Sequence, residues 1–185
     1  MTLRDTPAGY GTPTRLLHWG IAALIAAAWL LGTLMEDLPR GPARQAGLDW
    51  HAGFGALVIG LSLLRLLWRA VNPALPDPPG TPAWQARAAH LAHIALYAVT
   101  LAVPLSGILD RWARDRPFAL FGLLPVPPPF TPPFGRVWGE AHEVLANLLL
   151  LVVAGHVAAA LWHRLVLRDG VLRRMLPRDG KLGRG

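Results

Sequence analysis

Histidine is the residue whose number and placement in this chain can do chemistry: seven occur in 185 residues, and there is no cysteine. Without thiols there can be no disulfide, iron–sulfur cluster or C-x-x-C-H attachment of c-type haem, so any redox cofactor must be held by histidine, methionine or carboxylate. His142 and His156 are 14 residues apart. On a helix that is four turns less about 40°, so both rings face one way at levels roughly 21 Å apart. Such a separation suits two stacked haems, each needing an imidazole on either side of its iron. His18 and His51, on other segments, can supply the opposite imidazoles.

The elements that must position these rings are membrane spans. Hydrophobic residues make up 53% of the chain and charged ones 16%, a composition that suits one small membrane bundle better than a soluble domain. Stretches free of Asp, Glu, Lys and Arg cover Leu16–Met35, Trp50–Leu64, Ala88–Leu109 and Val144–His163, with 20, 15, 22 and 20 residues. A hydrocarbon core of roughly 30 Å needs about 20 helical residues. The second stretch reaches that length once Arg65 and Arg69 extend their stems to the surface. An integral membrane four-helix bundle is therefore expected, all-α and one domain over 1–185, with spans at roughly 14–36, 48–70, 84–110 and 138–166. The first run is too long for a signal peptide and has no A-x-A-like site before Glu36, so it reads as a retained span.

Charge sets the orientation. The formal net charge of +7 could suggest nucleic acid, but the basic residues are not clustered on a face with interleaved aromatics, so no nucleic-acid partner is expected. Alternating the inter-span segments puts 12 Lys and Arg on one side (Arg4, Arg15, Arg65, Arg69, Arg87, Arg164, Arg168, Arg173, Arg174, Arg178, Lys181, Arg184) and six on the other. The positive-inside rule then places both termini in the cytoplasm. Trp19, Trp68, Trp138 and Trp162 near the span ends fit an interfacial aromatic belt. Residues 111–137 form a long external segment containing Pro125-Val-Pro-Pro-Pro-Phe-Thr-Pro-Pro133, which cannot be a helix interior. It is expected to run extended over the outer surface as a linker, with a lid as the alternative.

In this topology His18 begins the first span at the inner side and His51 the second at the outer side, while His142 lies near the outer surface and His156 near the inner. His51 and His142 are the only histidines of the outer half, so a bis-histidine haem there has a forced pairing. At the inner level the face shared by His142 and His156 favours His18 with His156, while His90, His93 and His163 lie near the same surface. A single membrane histidine ordinarily satisfies a hydrogen bond between helices. Four that match in depth, face and pairing form the pattern of axial ligands. Gly53, Gly55, Gly60, Ala146 and Gly155 would leave room for a flat macrocycle, although small residues also serve close helix packing. Arg65, 14 residues beyond His51, can meet a haem propionate; its ordinary role would be a topology anchor. His90 and His93, at i, i+3, can cap a propionate or pack against neighbours.

Several segments carry a family resemblance. Trp138-Gly-Glu-Ala-His-Glu-Val-Leu-Ala-Asn-Leu148, Gly155-His-Val-Ala-Ala-Ala-Leu161 and Leu172-Arg-Arg-Met-Leu-Pro-Arg178 closely resemble the bacterial cytochrome b561 family. Leu17-His-Trp19, His51-Ala-Gly-Phe-Gly55, Ala89-His-Leu-Ala-His-Ile94 and Arg116-Pro-Phe-Ala-Leu-Phe-Gly122 extend the match over nearly the whole chain. The resemblance implies a multi-pass protein of the bacterial inner membrane with two haems b, held by His18 with His156 and by His51 with His142. The superoxide-oxidising branch of the family looks most similar. There, electrons pass from superoxide at the outer haem to ubiquinone near the inner one, and no acid–base catalyst is assigned. His163, seven residues beyond His156 on the same face, is then the candidate quinone contact, with interfacial snorkelling as its ordinary alternative. The proline-rich loop departs from the family pattern. With six arginines against seven acids outside, only a local cluster such as Arg111, Arg114 and Arg116 could steer an anion. The rival readings are a cytochrome subunit serving a partner dehydrogenase or hydrogenase, and a haem-free bundle acting as transporter or scaffold.

Overall fold

Four helices long and apolar enough to cross a membrane dominate the computed structural model, which describes residues 2–6, 9–72, 75–78 and 80–176. They are α1 (Thr12–Glu36), α2 (Pro42–Val71), α3 (Ala83–Ala113) and α4 (Val137–Trp162), and they make the chain a multi-pass membrane protein. Arg178, Lys181 and Arg184 of the expected inner charge lie outside the described residues. Pro13 and Pro42 stand in the first turns of α1 and α2, where a missing N–H costs no helical hydrogen bond. Each helix outruns its uncharged stretch, because a helix can continue into the headgroup layer once its charged side chains reach water. So α2 starts at Pro42 rather than near 48, taking in Arg44, Gln45 and Asp49, and α3 continues to Ala113.

The helices pack as two pairs, α1 along α2 and α3 along α4, joined by a smaller contact between α2 and α3. Small residues make the seams, as expected where lipid is as apolar as any helix face and close approach supplies the attraction. A Cβ on Gly47 would come within 2.8 Å of Met35 Sδ, and one on Gly55 within 3.3 Å of Pro104 Cβ.

At the outer end the segment after α3 is not the extended linker expected of it. A two-stranded antiparallel hairpin, β1 (Ala119–Leu120) with β2 (Leu124–Pro125), turns through Phe121 and Gly122 at φ 55° and 70°. It is fastened to α2 by Asp49. The Ala119 amide donates to Asp49 Oδ1 at 3.0 Å, the Phe121 amide donates to the Asp49 carbonyl at 3.1 Å, and Gln45 Nε2 donates to Oδ1 at 3.0 Å. The Phe121 ring sits on Gly53, where a Cβ would approach it to 2.6 Å, and its centre is 5.2 Å from that of Trp50 and 5.9 Å from that of Phe54.

At the other end the N-terminal segment meets α2 and the last described residues. Asp5 accepts from the Gly11 amide at 2.7 Å and from the Thr14 hydroxyl at 2.8 Å, and Thr14 in turn accepts from the Trp68 indole at 2.9 Å. After α4 a π-helical turn (His163–Leu167) leads to α5 (Val171–Met175). The Trp19 indole donates to the Met175 carbonyl at 3.0 Å and Arg15 to the Leu176 carbonyl at 2.9 Å. This end, which carries nine of the fifteen described arginines, is called the inner end below.

Replacing Asp49 by alanine removes the acceptor of the Ala119 amide, and the expected loss is about 1–3 kcal/mol. Thermal unfolding in detergent should show that loss, with faster proteolysis between Asp115 and Pro133. Asp49→Asn retains an acceptor oxygen and should stay close to the parent protein.

Candidate functional site

The four histidines singled out by spacing meet in pairs across helices. His51 of α2 and His142 of α4 have ring centres 6.0 Å apart with planes crossed at 79°, and His18 of α1 and His156 of α4 have centres 6.2 Å apart at 63°. Two imidazoles on one iron need ring centres about 6 Å apart, from roughly 2 Å for each metal–nitrogen bond and about 1 Å from nitrogen to ring centre. Both spacings fit that requirement. They also explain why α1 packs along α2 and α3 along α4 while the histidine-bearing faces meet across the two pairs.

In the outer pair, hydrogen bonds determine the tautomer. His51 Nδ1 lies 2.8 Å from the Ala28 carbonyl of α1, and His142 Nδ1 lies 2.8 Å from the Val103 carbonyl of α3. A carbonyl only accepts, so each Nδ1 carries the proton and each Nε2 is left with a lone pair, the form that binds a metal. A glycine stands four residues after each carbonyl. A Cβ on Gly32 would come within 3.3 Å of the His51 ring, and one on Gly107 within 3.0 Å of the His142 ring. The Ser106 hydroxyl donates to the Val103 carbonyl at 2.7 Å and lies 3.3 Å from His142 Nδ1. Nothing in the sequence marks Gly32, Gly107 or Ser106, because their roles arise from contact with a neighbouring helix.

The inner pair is built differently. His18 Nδ1 is buried and has no hydrogen-bond partner among the described residues. His93 of α3 also approaches His156, with ring centres 5.7 Å apart, so three histidines converge there. Arg65 does not reach out as an anchor: it is half-buried, its guanidinium carbon lies 5.5 Å from the centre of the Tyr97 ring, and it lines a cavity of about 40 Å³ with His93, Tyr97, Tyr10 and Trp68. That cation–π contact leaves an arginine beside the inner histidines. His163 is held at the start of the π turn between Asp169 and Gln85.

A family model described as prokaryotic cytochrome b561 matches residues 9–178. The chain belongs to the prokaryotic cytochrome b561 family. It is 32% identical to cytochrome b561 homolog 1 of Escherichia coli (strain K12) over 168 residues, 88% of this chain and 93% of that protein. It is 29% identical to cytochrome b561 homolog 2 of the same strain over 180 residues, 95% of each. A protein of Yersinia pestis named probable superoxide oxidase CybB is 29% identical over 167 residues, 88% of this chain and 92% of the relative. Membership in the cytochrome b561 family makes the chain a membrane electron-transfer protein that binds haem b.

Within this cytochrome b561 framework some expected roles change. Gly53 and Gly55, expected to make room for a macrocycle, seat Phe121 and Pro104 instead, while a Cβ on Gly60 or Gly155 would meet nothing within 4 Å. The external arginine cluster is weaker than its composition suggests, since Arg114 pairs with Asp110 at 2.6 Å and Arg111 donates to the Pro117 carbonyl at 2.7 Å.

Substituting Gly107 by valine places methyl groups where the His142 ring lies. The expected outcome is loss of haem per polypeptide with the protein still inserted in the membrane, measured by pyridine haemochrome assay against protein. Gly20→Val is the control, because a Cβ there meets nothing within 4 Å.

Proposed function

We propose that the chain is a di-haem cytochrome b of the bacterial inner membrane that takes electrons from superoxide at its outer face and reduces ubiquinone at its inner end. The observation that carries this reading is the presence of two cross-helix imidazole pairs, 6.0 and 6.2 Å between ring centres, on opposite ends of α4. The similarity to a protein named probable superoxide oxidase supports the choice of donor.

In this reading His51 and His142 are the axial ligands at the outer level, and His18 and His156 at the inner. When bound, the two haems b supply reversible one-electron storage at each level. The chain's own residues do the rest. The Ala28 and Val103 carbonyls fix which nitrogen of His51 and His142 carries a proton, so neither ring must lose one to ligate. Arg65 offers a bidentate cation to a propionate at the inner level. His163, at the inner end of α4, is the quinone contact. Quinol formation takes two electrons and two protons while superoxide gives one electron at a time, so a chain with two ligand pairs can gather both electrons before releasing product. Arg111 and Arg116 retain some attraction for an anion at the outer end.

A second reading, a cytochrome subunit passing electrons between a partner dehydrogenase or hydrogenase and the quinone pool, is favoured by exposed apolar side chains on the outer segment. Leu123 is 85% exposed and Phe134 74%.

Stopped-flow mixing of the oxidised, haem-loaded protein with a superoxide pulse separates the two. Reduction of the b-type bands within the lifetime of the pulse, followed by quinol formation from added ubiquinone-1, is the expected result. A protein that stays oxidised under superoxide yet purifies with a dehydrogenase or hydrogenase would replace the first reading by the second.

A further inference from the structure

The inner end of α4 carries a hydrogen-bonded group that axial ligation does not use. His163 opens the π-helical turn, and the chain then reverses through Arg168 and Gly170, both left-handed at φ 52° and 78°. On a continuing α-helix Asp169 would lie six residues on and point away from His163, since the two positions differ by about 600° of rotation, or 240° net. The reversal brings it back instead, and its carboxylate bonds His163 Nδ1 while its other oxygen accepts the Val171 amide at 3.1 Å. A non-glycine residue such as Arg168 is disfavoured in the left-handed region, so the turn is held by contacts such as these.

The opposite edge of the ring is also engaged. His163 Nε2 lies 3.2 Å from Gln85 Nε2 of α3. A carboxylate accepts only and an amide nitrogen donates only, so in this arrangement Nδ1 carries the single ring proton and Nε2 receives the hydrogen bond. If the ring takes a second proton at Nε2, Gln85 must turn its amide oxygen towards it or withdraw. Beside the turn lies a cavity of about 440 Å³ lined by Arg164, Leu165, Arg168, Gly170 and Arg173, roomy enough for several waters at about 30 Å³ each. The charged group in contact with the ring is Asp169 on its own turn, α3 presents the neutral Gln85, and the arginines of the turn and α5 face the cavity.

We propose that Asp169 and Gln85 make His163 a proton-loading site for quinone reduction, Asp169 stabilising the imidazolium and Gln85 holding the Nε2 position until quinone displaces it. The proposal rests on the reading of this end as the quinone-reducing side. Each quinone receives two electrons from the outer donor. The Nε2–H bond of the imidazolium breaks as an O–H bond forms on the reduced quinone, and the neutral ring takes a fresh proton from cytoplasmic water in the arginine-lined cavity. Two such rounds complete the quinol. Partial burial pushes the Asp169 carboxyl up, but its hydrogen bonds from His163 and the Val171 amide hold it below the usual carboxylate value. Asp169 thus stays ionised at neutral pH and the proton in play sits on the ring. Asp169 is a positioning residue and His163 the proton donor.

The test uses the full-length, haem-loaded protein reduced to its diamagnetic ferrous state, with nitrogen-15-labelled histidine. The His163 nitrogen-15 shifts are expected to show the Nδ1–H tautomer in the parent protein, to lose that preference in Asp169→Asn and to regain it in Asp169→Glu; an unmoved tautomer signature overturns the proposal without any reference to quinone. With ubiquinone-1 as acceptor, Asp169→Asn should lower kcat about tenfold or more with KM nearly unchanged. Gln85→Leu should lower KM. Full kcat in Asp169→Asn would overturn the relay and leave the proposed function standing. Absence of quinone turnover in the parent protein, with superoxide still reducing it, would overturn the quinone assignment and the relay together.

Discussion

Two backbone carbonyls, those of Ala28 and Val103, determine how the outer imidazoles stand. Inside a bilayer a mid-helix carbonyl is ordinarily satisfied by the amide four residues on, and its second lone pair is used only where another donor can approach closely. Gly32 and Gly107 are the residues at those i+4 positions, and they allow that approach because they have no side chain in the way. The same device appears once in each helix pair. It gives His51 and His142 one tautomer and one ring orientation before any cofactor chemistry is considered, and it fixes how closely α1 lies on α2 and α3 on α4. The hairpin fastened to Asp49 adds a second hold on the outer half of α2, on residues 49 and 53 that bracket His51.

Much of this was legible in the chain. Four spans follow from uncharged stretches of sufficient length, and the meeting of His51 with His142 and of His18 with His156 follows from depth and the 14-residue spacing on one helix. What stayed hidden depends on contacts between segments. Asp49 reads as a charge that delays the second span, whereas in the fold it is a buried acceptor for the hairpin. Gly53 looks like space for a ring and does hold one, but that ring is Phe121. Composition made residues 111–137 a proline linker, because Asp49 and Gly53, which organise its first half, lie about 70 residues earlier. Spacing left the inner site open among several histidines, and His93 does lie as near to His156 as His18 does.

The two ends of the bundle are built to different rules. The outer end is braced by aromatic packing and one carboxylate, and it exposes Leu123 and Phe134. The inner end is a polar weave in which Asp5, Thr14, Trp68 and Asn72 tie the N-terminal segment to α2, while Trp19 and Arg15 reach the C-terminal helix. Nine of the fifteen described arginines gather there. An arginine beside Tyr97 and an Asp–His contact beyond the last apolar turn show that polar groups at this end are arranged around specific partners.

Ring orientation in the outer pair is settled within each helix pair, His51 by α1 and His142 by α3, whereas both histidine encounters happen between the pairs. Each half therefore aims its own imidazole. Joining the halves falls to the α2–α3 seam, to the hairpin fastened on Asp49 at one end and to the α1 side chains that reach the segment after α4 at the other. Loss of the tie at one end would let the halves splay there while each outer imidazole kept its aim.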